Sequence, residues 1–203
     1  MSMVASTTTF GQIQIGAQAS YLKGGGTNST ALWGGGVHAK FFIGDHIVLG
    51  GLLRIYPEKT SEESYSSSAV TYQVSHADLL SNLMGTFDLL LGQSGSLTRP
   101  YIGLDAGISN SSRSTLITSP GFQTSTNENE QTFFMASPKA GLNVELSKGF
   151  GFFAQAQYNL TFGSGDPNNI TVPGFDGNST TPVDKFFSFD AGIFFRFVSA
   201  GKK

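Results

Sequence analysis

In the stretch Lys185–Val198, apolar residues recur at Phe187, Phe189, Ala191, Ile193, Phe195 and Phe197, while Ser188, Asp190, Gly192 and Arg196 fill the positions between. A period of two sustained over this length predicts a β-strand with two unlike faces. The same alternation recurs along the chain. Residues 10–22 set Ile13, Ile15, Ala17, Ala19 and Tyr21 against Gln12, Gln14, Gly16, Gln18 and Ser20. Ala31–Ile43 sets Trp33, Val37, Ala39, Phe41 and Ile43 against Gly34, Gly36, His38 and Lys40. Further strands are predicted over 47–56, 99–109, 132–146 and 152–162, with Arg54, Asp105, Lys139 and Glu145 on their polar faces. Residues 70–91 form a less regular segment. Val70, Tyr72 and Val74 occupy even positions, but Leu79, Leu83, Phe87, Leu89 and Leu91 occupy odd ones, so a bulge is expected between His76 and Leu80. A helix over 78–91 is the competing reading. Pro138 predicts a local break or bulge inside its strand.

The connections alternate in length. Links 44–46, 92–98 and 147–151 are short, and Gly44-Asp45-His46 forces an antiparallel hairpin. The segments 23–30, 57–69, 110–131 and 163–184 are longer and polar, and read as loops, with 57–69 alternatively extending the sheet beyond a membrane. Short turns on one rim, long loops on the other and an even strand number predict an all-β, eight-stranded antiparallel up-and-down transmembrane barrel. It forms a single domain over 1–203, with the barrel at about 10–198. Both termini fall on the short-turn, periplasmic rim.

Composition decides which way the apolar face points. Charged residues make up 13% of the chain, about half of the ~25% usual in soluble domains. Phe numbers 18 and Gly 26. A soluble lipocalin-like barrel would need its polar face as exterior, yet that face is mostly Gly and Gln. It would also need a cavity able to hold this many Phe. The outward reading puts Trp33, Phe41, Phe134, Tyr158, Phe187, Phe189, Phe195 and Phe197 against lipid. The polar face then sends Lys40, Arg54, Asp88, Asp105, Lys139, Glu145, Asp190 and Arg196 into the lumen, four of each sign. Eight strands leave an interior just wide enough for side chains, so a hydrogen-bonded, salt-bridged plug is expected.

The remaining chemistry is sparse. A net charge of -2 offers no basic stripe for nucleic acid. The chain contains no Cys, which excludes disulfides and thiolate metal sites. His38, His46 and His76 stand on separate elements without metal-ligand spacing. Gly24-Gly25-Gly26 and Gly34-Gly35-Gly36 lack the Lys-Ser/Thr context of a phosphate loop and read as small residues at a tight wall. No cofactor is implied. Residues 1–9 lack the basic and apolar regions of a secretory signal, so an exported protein is expected to be represented here without its signal peptide.

Four stretches, Arg-Pro-Tyr-Ile-Gly-Leu-Asp-Ala-Gly-Ile-Ser (99–109), Pro-Lys-Ala-Gly-Leu-Asn-Val-Glu-Leu (138–146), Phe-Phe-Ala-Gln-Ala-Gln-Tyr-Asn (152–159) and Phe-Asp-Ala-Gly-Ile-Phe-Phe-Arg-Phe (189–197), carry a likeness. With them the chain resembles the small outer-membrane β-barrels of Gram-negative envelopes, the OmpA-like, OmpX-like and OmpW-like domains. The resemblance implies an outer-membrane location and contact with membrane lipid and lipopolysaccharide. It also implies recognition of a terminal aromatic, here Phe197, by the barrel-assembly machinery, although Val198 to Lys203 follow it. No peptidoglycan-binding domain is carried over. The function expected is a non-enzymatic structural or interaction component, with a possible protein partner at the extracellular loops. A narrow conduit for small or apolar solutes is one alternative. Another is a lipid-modifying enzyme, since some barrels of this kind are lipid A deacylases using Ser, His and Glu; His76, with Asp78 and nearby serines, would be its candidate.

Overall fold

The computed structural model describes residues 12–24, 31–67, 70–93, 95–119, 122–147, 149–162 and 185–198. Its strands are β1 (Gln12–Gly24), β2 (Ala31–Ile43), β3 (Ile47–Ser67), β4 (Val70–Leu90), β5 (Thr98–Ser119), β6 (Phe122–Ser147), β7 (Phe150–Phe162) and β8 (Lys185–Val198). They close in sequence order into one antiparallel barrel, and β8 pairs back onto β1 with Tyr21 opposite Phe189. Segment 70–90 is a strand, which decides against the competing helix over 78–91: β4 keeps an unbroken register against β5.

Alternation assigns every wall residue to inside or outside. The outward apolar positions run from Trp33 to Ile43 on β2 and from Phe187 to Phe197 on β8. That is the ~9–11 residues a tilted strand needs to cross a bilayer. The five Phe-Phe pairs of the sequence each split across the wall: Phe42, Phe133, Phe153, Phe186 and Phe194 are buried inside, while Phe41, Phe134, Phe152, Phe187 and Phe195 are exposed.

Glycine makes room for the large inward groups. Gly16 lies opposite His38, Gly141 opposite Tyr101, Gly151 opposite Phe194 and Gly192 opposite Phe153. A Cβ at Gly141 would sit 2.6 Å from the Tyr101 ring, and one at Gly151 would sit 2.5 Å from that of Phe194. Each bulky side chain therefore crosses over the bare backbone of its cross-strand neighbour, which lets eight strands hold rings and ions together.

Two expectations are corrected, and two alternatives are decided. Residues 110–131 are not a long loop: β5 continues to Ser119 and β6 begins at Phe122, with Pro120-Gly121 outside the described residues. Of the two readings of 57–69, loop or extension of the sheet, the extension holds: β3 continues to Ser67, with 68–69 outside the described residues. The bulge expected in β4 is on its partner: Tyr56 pairs with Leu80 and Lys59 with Asp78, so β3 carries the extra residue beside Pro57. Pro57 cannot donate to a ladder, and the extra residue there bends β3 where it leaves the barrel wall. Pro138 does interrupt pairing with β7 between Ala136 and Lys139, but the register is the same on both sides of the gap, so there is no bulge. Bulges in β6 occur elsewhere, opposite Ser114 and Thr115 and between Glu145 and Ser147. β6 and β7 also take in Ser147, Phe150 and Gly151, shortening the turn between them. Links 25–30 and 163–184 lie outside the described residues.

The upper parts of β3, β4, β5 and β6 form a four-stranded sheet standing beyond the barrel. Pairing of β2 with β3 reaches only Ile55, and pairing of β6 with β7 begins at Phe134. Among the described residues, above those points β3 and β6 are paired on one side only, while β4 and β5 pair with each other up to Gln73 and Thr118.

The glycine positions yield a direct test. Gly141→Val should lower stability by about 1–3 kcal/mol through overpacking against Tyr101, read from urea unfolding in phospholipid vesicles. Gly51→Val, whose added Cβ would meet nothing closer than 3.9 Å, should leave the urea midpoint nearly unchanged.

Candidate functional site: the ion-paired barrel interior

The eight charged residues of the polar faces all lie inside the barrel. Lys40, Arg54, Asp88, Asp105, Lys139 and Asp190 are buried, Asp105 completely, and Glu145 and Arg196 are half-buried. Six of them form one chain. Lys40 Nζ is 2.7 Å from Asp88 Oδ2, and Lys139 Nζ is 2.7 Å from Asp88 Oδ1 and also pairs with Asp105. Arg54 Nη2 then bridges Asp105 at 3.3 Å and Asp190 at 3.0 Å. Three cations meet three anions, so the chain is neutral.

Amides and hydroxyls extend it. Gln157 donates to Asp105 at 2.8 Å, Gln155 donates to Asp190 at 2.7 Å, and Tyr101 donates its hydroxyl to Gln155 at 2.7 Å. Asn159 donates to Ser188, which donates to Gln157, while Ser137 donates to Asn159. Buried charges are tolerated when paired and hydrogen-bonded in this manner. The remaining two ions form their own pair near the short-turn rim. Arg196 Nη1 donates to Glu145 at 2.8 Å and Nη2 donates to Gln14 at 3.3 Å, with the guanidinium 4.4 Å from the centre of the Phe42 ring.

Apolar groups lie at both ends of this network. Phe42, Val48, Leu90 and Tyr101 cluster toward the short turns. Leu22, Tyr56, Met84, Met135 and Phe186 cluster toward the opposite rim, with Leu32 and Leu80 packed against them. Sequence reasoning missed these two layers, along with the connecting role of Gln155, Gln157 and Tyr101 and the burial of Arg99, which donates to the Asp45 carbonyl. The signal was present: in each Phe-Phe pair, one ring must stand on the polar row.

Of the eight outward aromatics, Trp33, Phe41, Phe134, Phe187, Phe189, Phe195 and Phe197 are exposed on the outer wall, and Tyr158 is half-buried, its ring 4.9 Å from that of Phe187. Among the described residues no group of three or more His, Asp or Glu is placed to hold a metal ion. His38 is packed inside, its Nε2 accepting from the Gln14 amide nitrogen at 3.4 Å, and His46 contacts the Leu90 carbonyl at the rim. His76 lies in the projecting part of β4, its backbone opposite Ser61 and Thr115.

A closed eight-stranded barrel with an apolar outer wall and a polar, ion-paired interior is the architecture of the small outer-membrane β-barrels. Solved structures share the fold. The chain is similar to Ail, the attachment invasion locus protein of Yersinia pestis, at a TM-score of 0.52 and 13% identity, covering 94% of this chain and 100% of that one. Ail in complex with the heparin analogue sucrose octasulfate aligns at 0.50, also with 13% identity, over 93% and 99%. The outer membrane protein OprG of Pseudomonas aeruginosa aligns at 0.50 with 11% identity, over 95% and 98%. No protein-family model matches the chain, nor does any curated protein sequence. The fold is that of the small outer-membrane barrels.

Asp105 is the test of the interior, because it is the anion that joins Lys139 to Arg54. Asp105→Asn should destabilise the barrel by about 3–5 kcal/mol, the penalty for leaving buried charges unpaired, as measured by urea unfolding in vesicles. Replacing both partners in Lys40→Met with Asp88→Leu should cost less than the sum of the two single changes.

Proposed function

We propose that the protein is an integral outer-membrane barrel with a closed interior, acting as a non-enzymatic interaction component through the sheet that projects beyond its rim. One observation carries the reading: the ion network is sandwiched between two apolar layers, while the wall is continued outward by four strands whose two outer edges have no partner among the described residues. A conduit needs water along its axis. Here the axis is crossed by salt bridges that set each of the six ions against an opposite charge, and by side chains from six strands.

The projecting strands are suited to contact. A strand paired on one side presents unused N–H and C=O groups, which an extended partner segment can pair with. At ~3.3 Å per residue, residues 57–67 of β3 and 110–119 of β5 rise roughly 30 Å. Their chemistry argues against a polyanionic partner such as the one named for Ail. The projecting segments carry Glu58, Glu62, Glu63, Asp78, Glu128 and Glu130 against Lys59 and Arg113. A partner surface that is polar or basic fits this balance.

Two measurements test the proposal. Planar-bilayer recordings of the folded protein should show no discrete conductance steps, and reproducible unitary steps would overturn the closed interior. Replacing residues 60–76 and 112–129 by tight turns should leave heat-modifiable migration on a detergent gel intact but abolish co-purification of native membrane complexes. Unchanged complexes in that variant would remove the projecting sheet from the function. An acyl-release assay separates the enzyme reading, since release that is lost in His76→Ala would replace an interaction role with lipid chemistry.

A further inference from the structure

The outer wall is not uniformly covered by large side chains. Two adjacent cross-strand rows run around it from β2 to β6. The lower row reads Gly35, Ala19, Ala191, Ala154 and Leu142, and the upper reads Trp33, Tyr21, Phe189, Ala156 and Ala140. Small residues thus occupy four consecutive strands of the lower row and the β7–β6 end of the upper one. Rings stand above them on β2, β1 and β8. The result is an apolar trough of about 620 Å³ on the outside of the barrel, crossing five strands, or about 19 Å at the usual strand spacing.

The charges on this face are as unevenly distributed as its volumes. Outward-facing positions of β7, β8, β1 and β2 carry no carboxylate; the single acid on these strands, Asp190, is buried inside. The outward cations are Lys23 and Lys185, both exposed and both at the end of the barrel away from the short turns. Lys23 pairs with Phe187, which makes Lys185 its diagonal neighbour on the same face, roughly 7–8 Å away. Among the described residues neither lysine has an anionic partner. Two like charges this close repel each other, and an anion seated between them would relieve that repulsion.

From the trough and the lysine pair together we infer that this face binds one phosphate-bearing membrane lipid, its headgroup phosphate between Lys23 and Lys185 and an acyl chain in the alanine-floored trough. This rests on the transmembrane reading above and goes further, because it assigns a selective lipid to one side of the wall. A second copy of the chain is the competing occupant. Two copies inserted in the same orientation and related by a two-fold axis along the membrane normal would bring both lysine pairs to one level, four cations against no outward acid among the described residues of these strands. A phosphate removes that repulsion.

Trp33 is the sole tryptophan of the chain, and it lines the trough, 68% exposed and 4.8 Å from the Tyr21 ring. It is therefore a built-in reporter. The full-length protein is folded into phosphatidylcholine vesicles containing a small fraction of acyl-brominated lipid, either phosphatidylglycerol or phosphatidylcholine, and Trp33 fluorescence is read. Brominated phosphatidylglycerol should quench more strongly at equal mole fraction, reflecting a local enrichment on the order of fivefold for each lysine facing the phosphate. Lys23→Gln with Lys185→Gln should abolish the difference while leaving quenching by brominated phosphatidylcholine unchanged. Ala154→Leu with Ala191→Leu, filling the trough but keeping both lysines, should reduce quenching by both lipids. Equal quenching by the two lipids in the wild type, or a preference that survives loss of both lysines, overturns the inference. So does quenching that falls as the protein-to-lipid ratio rises, the signature of a second copy covering the trough. Failure of the protein to insert at all, seen as absent heat-modifiability, would instead sink the transmembrane reading.

Discussion

Six charges on six different strands must meet near one axis for this barrel to exist. Lys40 comes from β2, Arg54 from β3, Asp88 from β4, Asp105 from β5, Lys139 from β6 and Asp190 from β8. No adjacent pair of strands completes the set. A hairpin of β3 and β4 alone would hold Arg54 and Asp88 without their partners, and a sheet left open at β1 and β8 would displace Asp190 from Arg54. Because an unpaired ion in an interior of low dielectric is heavily penalised, the network favours the closed eight-stranded arrangement over partial ones. Glycine is the second half of the same constraint. A Cβ at Gly103 would lie 2.5 Å from Asp88 Oδ1 and 2.8 Å from Lys139 Cε, so the backbone of β5 must be bare where the ions of β4 and β6 meet.

The wall was legible in the sequence because it has two solvents. Where lipid or an apolar surrounding lies on one side and a polar interior on the other, alternation marks both the strand and its register. The projecting sheet shows the limit of that signal. Residues 110–119 and 122–131 are as extended as the wall, yet read as a loop, because Ser, Thr, Asn and Gln recur on both faces and leave no period to detect. Strand propensity of Thr and pairing along the hairpin hold this region, and neither is visible as a hydrophobic pattern. The misplaced bulge has a similar origin. A change of phase in β4 shows that residue environments change there, but an extra residue in the opposing strand can accommodate the same change of direction, and Pro57 marks the strand that took it.

Within the interior, charge was more legible than volume. A Lys or Asp in the middle of an alternating strand needs a partner, so the ions identify themselves one by one. The apolar layers do not. Phe42, Met84, Met135 and Phe186 sit on rows otherwise holding Gln, Lys, Gly and Ser, and an isolated large residue there looks like an exception to the pattern. Taken together, the Phe-Phe pairs resolve it. Two consecutive rings in a strand cannot share a face, so every such pair in a chain of this kind assigns one ring to the interior. Those rings then need space, and the cross-strand glycines opposite Phe153 and Phe194 supply it.

The interior pairs its ions with one another, and on the exterior the two halves of the barrel differ. The strands β3 to β6 are long and carry the acidic segments beyond the rim. The strands β7, β8, β1 and β2 are 13 or 14 residues long and end near the rim. They carry the small-residue trough, the Tyr21–Trp33 ring pair and two lysines without a described acid. A projecting acidic sheet on one side and a basic, recessed wall on the other give the molecule a sidedness within the membrane plane. A phosphate-bearing lipid held on the short-strand side would keep that side from serving as a protein contact. Partners would then be left to approach from the side where the edges of β3 and β6 are unpaired among the described residues.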